Sequence, residues 1–144
     1  MPKPFPHHFE IETSWSGEGG STISAGTRPK LVGGAPPEFD GRADWWSPEH
    51  LLLSALALCL QGTFDAIAGR AELSASSYRS RAKGTLEKTT QGIVFTSLEL
   101  TVDLTVAAAD VERAKEVLEK AKKHCIVANA LKTETRLVAN VTAG

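Results

Sequence analysis

Polar and apolar residues alternate along residues 8–15, with Phe9, Ile11, Thr13 and Trp15 on one side and His8, Glu10, Glu12 and Ser14 on the other. That period of two is the signature of a half-buried strand. SGEGG follows as a hairpin turn. Short strands are predicted near residues 21–25 and 30–32, completing a small meander. The segment GGAPPEFDGRADWW is dense in Gly, Pro and Asp, and reads as a loop.

The pattern then changes to helical. Ser47 is an N-cap type directly before Pro48, which suits the first helical position, and Glu49 suits the positive end of the helix dipole. The helix predicted from there runs to about residue 71. Residues 51–60 are apolar on nearly every face, which marks a buried helix. Ala55, Cys59, Gly62 and Ala66 align as a stripe of small side chains along which another backbone could approach Cys59.

SYRSRAKGTLE alternates weakly and VFTSLELTVDLTV strongly, so two long antiparallel strands joined near KTTQG are expected. Leu98, Leu100, Val102, Leu104 and Val106 form the inner face of the second. From about Asp110 an amphipathic helix has Val111, Ala114, Val117, Leu118 and Ala121 inside and Lys115, Glu119, Lys122 and Lys123 outside. Cys125 continues the inner stripe. IVANALK adds a short helical piece and TETRLVANVT a closing strand. The order βββ-α-ββ-α-β, with two main helices and antiparallel sheets, defines an α+β fold. At 144 residues the chain is read as one domain, residues 1–144.

Charge and composition narrow the partners. Seventeen acidic residues nearly cancel sixteen basic ones, so nothing points to nucleic acid or an anionic membrane surface. The apolar run at residues 51–60 is about half of what crosses a bilayer, and MPKPFPHHFE lacks the apolar stretch of a signal peptide. A soluble, cytoplasmic protein is expected, in which two cysteines so far apart are thiols by default.

Cys59 and Cys125 both fall on buried helix faces, where a free cysteine ordinarily packs as a small hydrophobe. A zinc site from Cys59, Cys125, His124 and His50 lacks the close ligand pairs such sites use. No GxSxG, GxxxxGK[ST], HExxH or CxxC motif is present, and no cofactor is expected. Trp45 and Trp46 suit a pocket mouth or core packing.

SPEHLLLSALALC near the middle and KKHCIVANALK toward the end resemble the OsmC/Ohr family of thiol peroxidases, closer to its OsmC-like branch. The likeness covers essentially the whole chain. It implies an OsmC-like fold, Cys59 as the peroxidatic thiol, Cys125 as the resolving thiol, and a transient disulfide between them; an intertwined homodimer is expected because so small a chain can hardly cover a helix apolar nearly all round. It also implies a hydroperoxide as substrate and an external dithiol of lipoyl type as reductant, and the apolar surroundings of Cys59 favour an organic hydroperoxide. The family sets an arginine beside the reactive sulfur, held by the motif glutamate, here Glu49. The first hairpin turn has no arginine, so Arg42 of the following loop is the candidate, with Arg28 second and Lys30 also within reach. Ile126 stands where relatives often have proline. Two other readings fit the residues: a binding module for a small hydrophobic ligand, and a structural domain in which both cysteines are packing.

Overall fold

A computed structural model describes residues 2–144. The chain packs as two compact units, one ending at Leu51 and the other formed by Leu52–Gly144.

The first unit holds a three-stranded antiparallel sheet, β1 (Glu12–Ser14), β2 (Ser21–Ser24) and β3 (Leu31–Gly33), in that order. Thr13 pairs with Ile23, and Thr22 with Val32. The loop after β3 is pinned rather than loose. Gly41 N–H donates to the Pro36 carbonyl (2.9 Å) and Arg42 N–H to the Ala35 carbonyl (3.1 Å), closing a ring around a 3-10 turn at Pro37–Phe39. Only glycine fits at 41, because a Cβ there would lie 1.6 Å from the Ala35 oxygen. Trp46 then bridges back to Gly33, with Trp46 N–H donating to the Val32 carbonyl (3.1 Å). The Trp45 indole lies on the bare backbone of Gly34, where a Cβ would come within 2.5 Å of the ring.

One expectation is corrected in this unit. The alternating stretch at residues 8–15 forms a strand only over Glu12–Ser14, and its apolar side is open, with Phe9 88% and Trp15 66% exposed. Alternation records a face that avoids water. It does not supply the surface that covers it.

Helix α1 (Pro48–Arg70) starts as its cap residue requires. The Ser47 hydroxyl accepts the His50 N–H at 3.0 Å and also bonds the His50 Nδ1 at 2.6 Å, while the Leu51 N–H donates to the Ser47 carbonyl. The second unit takes up the body of this helix. Its mixed sheet, in the order β4-β5-β6, consists of β4 (Ala75–Thr89), β5 (Gly92–Val106) and β6 (Thr135–Ala143). Between β5 and β6 come helix α2 (Val111–His124) and the short helix α3 (Ile126–Ala130).

β4 and β5 form the expected hairpin, turning at Thr89 and Gly92, where Gly92 holds a φ of 105°. β6 joins β5 in parallel, pairing Leu98 with Thr135 and Val106 with Ala143. The α2–α3 connection is long enough for that crossover, and alternation alone does not fix strand direction.

All five inner residues of β5 predicted from the alternation are buried, as are Ala114, Val117, Leu118 and Ala121 of α2. They meet Leu56, Leu60, Phe64 and Ala68, an i, i+4 stripe of α1, in one hydrophobic core. Gly84 of β4 admits this packing, since a Cβ there would press the Phe95 ring at 2.7 Å and Leu53 at 3.2 Å. The opposite side of α1 is open: Ala55, Gly62 and Ala66 are exposed and Leu58 is 69% exposed. By length and apolarity alone, the helix meets the requirement for a membrane span that residues 51–60 do not. Its core-facing stripe is nonetheless fully engaged by the chain's own sheet and α2.

Candidate thiol site

Cys59 and Cys125 are brought together by the packing of α1 against the end of α2. Cys59 precedes Leu60 of the buried stripe and so sits at its border, half-buried and against the core. Thr63, one turn on, donates its hydroxyl to the Cys59 carbonyl at 2.8 Å and ties that turn. Cys125 ends α2 with extended backbone (φ −68°, ψ 113°) and begins α3, where its carbonyl accepts the Asn129 N–H at 3.0 Å. Its side chain is completely buried.

Both thiols are free and act directly on each other. Burial pushes the Cys125 thiol above its ordinary range, and the neighbouring Cys59 pushes it further. The backbone N–H groups of Ala128 and Val127, at the start of α3, pull the other way by favouring a thiolate. The pair is thus a dithiol whose fully buried sulfur, Cys125, resists ionisation. Among the described residues, no group of three or more His, Cys, Asp or Glu side chains is arranged to hold a metal ion.

The predicted charge partners lie in the first unit. Glu49 is part-buried, and its Oε1 has no hydrogen-bond partner among the described residues. Such an oxygen is costly unless a donor or cation reaches it. Arg42 does not provide one. Its Nε and Nη2 donate to the two carboxylate oxygens of Asp44 at 2.8 and 2.7 Å, and its guanidinium lies 5.6 Å from the centre of the Trp45 ring. Asp44 raises the Arg42 pKa and Arg42 holds that of Asp44 below the usual carboxylate range, chiefly through this shared hydrogen bonding. Arg28 turns back instead to the Ala25 carbonyl at 3.5 Å. Trp45 and Trp46 line a hollow of about 220 Å³ with Ala43, Asp44 and His50.

A hollow of about 580 Å³ begins one turn from Cys59, lined by Thr63, Ile67, Arg70, Ala71, Lys120 and His124. Three of those six residues are basic, so it is not the enclosed apolar cavity that a small hydrophobic ligand needs.

The OsmC-like protein family model matches residues 41–139, which include both cysteines and the helix start. The chain belongs to the OsmC-like protein family. Peroxiredoxin OsmC of Escherichia coli is 27% identical across 90% of this chain and 94% of its own. The YmaD protein of Bacillus subtilis is 25% identical across 96% and 97%. Among solved structures, an OsmC-like protein from Vibrio cholerae superposes with a TM-score of 0.83 at 18% identity, covering 95% of this chain and 100% of that one. An organic hydroperoxide resistance protein from Elizabethkingia anophelis, with thiocyanate bound, gives 0.74 at 17%, covering 97% and 100%. At such identities the two structures speak for the fold.

Sequence reasoning missed Asp44 as the partner of Arg42. It also missed the N–H groups behind Cys125, because the end of α2 and the start of α3 were read as one stripe. Tyr78, treated as part of a weakly alternating strand, belongs to the same core as both thiols. The signal available was its solitude: it is the only tyrosine of the chain.

Proposed function

We propose that this OsmC-like protein is a thiol-dependent hydroperoxide reductase acting on organic hydroperoxides. The observation that carries the reading is the pairing of two thiols from distant parts of the chain, one half-buried and the other fully buried. The name of the Escherichia coli relative, a peroxiredoxin, agrees with it.

In this reading the Cys59 thiolate attacks the outer oxygen of the peroxide, the O–O bond breaks, and an alcohol leaves with a proton. Cys59 becomes a sulfenic acid. Cys125 condenses with it, releasing water and forming a disulfide, which an external dithiol of lipoyl type reduces by exchange. Glu49 and Arg42 are proposed to serve as the carboxylate–guanidinium pair that a thiolate and a departing alkoxide call for. Arg42 must then exchange Asp44 for its working partner. We also propose a cytoplasmic homodimer in which a second copy covers the open face of α1 around Leu58 and the apolar side of residues 8–15. A monomer by light scattering at micromolar concentration would remove that part.

The reaction is tested by mass spectrometry of the reduced protein after one equivalent of cumene hydroperoxide. Loss of two hydrogens with a Cys59–Cys125 cross-link is the expected result. An unchanged mass and unconsumed peroxide would overturn the enzyme in favour of a binding or structural role.

A further inference from the structure

The hydroxyl of Tyr78, on β4, is buried and has no hydrogen-bond partner among the described residues. The ring is held in place: it packs against Phe64 of α1 with centroids 5.4 Å apart and planes inclined by 44°, inside the cluster that contains Cys59 and Cys125. A buried donor left without an acceptor is uncommon and calls for a reason. Burial, aided by the negative charges of Asp65 and of an ionised Cys125, pushes this phenol up to about 12. It therefore stays protonated, and stays a donor, wherever the protein works.

The group it could serve is within electrostatic reach. Cys125 must lose its proton before it can attack, yet burial and Cys59 both oppose its ionisation. Only the N–H groups of Val127 and Ala128, from α3, favour its thiolate. From β4, Tyr78 brings a buried side-chain donor that has no partner among the described residues.

We infer that Tyr78 is a positioning residue for disulfide formation: its hydroxyl engages the Cys125 sulfur as that sulfur ionises, and holds the thiolate for attack on the oxidised Cys59. The inference deepens the peroxidase reading and rests on it for its place in the cycle. In the step concerned, Cys125 gives up its proton, its sulfur bonds to the Cys59 sulfur, and the S–O bond of the sulfenic acid breaks. The departing hydroxide takes up the proton as water. The peroxide already consumed is the oxidant, and tyrosine ends as it began. The groups that act on Cys125 are Cys59 from α1 and the two N–H groups of α3, while Cys125 in turn acts on Tyr78 from β4; Lys122, Lys123 and His124 stand in the last turn of its own helix. Asp65 of α1 acts on the phenol.

The test uses the full chain and two perturbations of opposite sign. Tyr78→Phe keeps the ring and removes the donor, whereas global replacement of tyrosine by fluorotyrosine alters this one residue alone and makes it a better donor. In a Cys59→Ser background Cys125 is the only thiol, and its alkylation by iodoacetamide is followed against pH. The midpoint should rise by about one unit with phenylalanine, a tenfold loss of thiolate, and fall with fluorotyrosine. With both cysteines present, Tyr78→Phe should leave sulfenic acid formation unchanged and slow disulfide formation about tenfold. Identical midpoints in the three proteins, or disulfide formation as fast in Tyr78→Phe as in the parent, would overturn the inference. If the parent protein consumes no peroxide, the peroxidase reading falls by itself, and the alkylation midpoints still decide whether the hydroxyl serves the sulfur.

Discussion

Two stretches of this chain carry the same period-two alternation and end in opposite surroundings. Leu98, Leu100, Val102, Leu104 and Val106 of β5 are all buried, while Phe9, Ile11 and Trp15 face outward. In the second unit two helices close over the sheet, so the apolar rows find partners within the chain. In the first, order comes from backbone instead: a ring of hydrogen bonds around Gly41 and an indole laid on Gly34. The pattern thus reports which residues avoid water. Whether the chain itself supplies the cover depends on topology. The same contrast divides the proposed chemistry, with the thiol pair held by the packed core and Arg42 and Glu49 held by the loop and helix start.

The sharpest way to break the comparison is to remove each thiol. Cys59→Ser leaves no attacking sulfur, and peroxide turnover should vanish. Cys125→Ser should allow one rapid reduction and then stop as sulfenic acid, or climb to sulfinic acid, as read by stopped-flow kinetics and mass spectrometry. Equal loss of the first turnover in both variants would undo the assignment of roles.

Stability should separate the two units next. Leu118 is fully buried, and Leu118→Ala should lower unfolding stability by about 2–5 kcal/mol in urea titrations. Trp15→Ala, on the open face, should change it by no more than about 0.5 kcal/mol in the isolated chain. A large loss from Trp15→Ala that fades on dilution would instead locate that side chain in the proposed dimer interface.

What the residues disclosed follows the same division. Element order, the helix start at Ser47, the inner face of β5 and the burial of Cys125 were legible, because each depends on local spacing and on one core. The parallel entry of β6 was not, since alternation reads identically in either direction. The partner of Arg42 was hidden for another reason. Asp44 lies two residues away, and which carboxylate a loop guanidinium meets depends on backbone closure at Gly41, which composition does not encode.

That closure supplies the next test. If Arg42 serves the reaction, Arg42→Ala should lower the second-order rate with peroxide at least about tenfold, equivalent to 1.4 kcal/mol on the barrier. Asp44→Ala, by freeing the guanidinium, should preserve or raise that rate. An unchanged rate in Arg42→Ala accompanied by a loss in Arg28→Ala would transfer the role to Arg28.

The smallest expected effect is a pH asymmetry between the units. In the unfolded chain Tyr78 ionises near its ordinary value of 10.0, whereas in the folded protein burial holds its proton to about 12. Between those values the unfolded state binds fewer protons, so the contribution of this group is complete below about pH 10 and is lost as pH rises toward 12. Cys125, raised by burial from 9.0, acts in the same direction from a lower starting pH. The ring is only partly buried, so solvent screening reduces the tyrosine share to about 1 kcal/mol. In the first unit Asp44 is depressed by Arg42, and its contribution is lost as pH falls through the folded value. Both of those side chains are exposed, and their acid limb should be flat. Denaturant titrations in the presence of reductant should therefore show wild type losing more stability than Tyr78→Phe above about pH 10, and no difference between wild type and Asp44→Ala near pH 4. Parallel curves for wild type and Tyr78→Phe across the alkaline range would mean that the phenol is not held protonated by the fold.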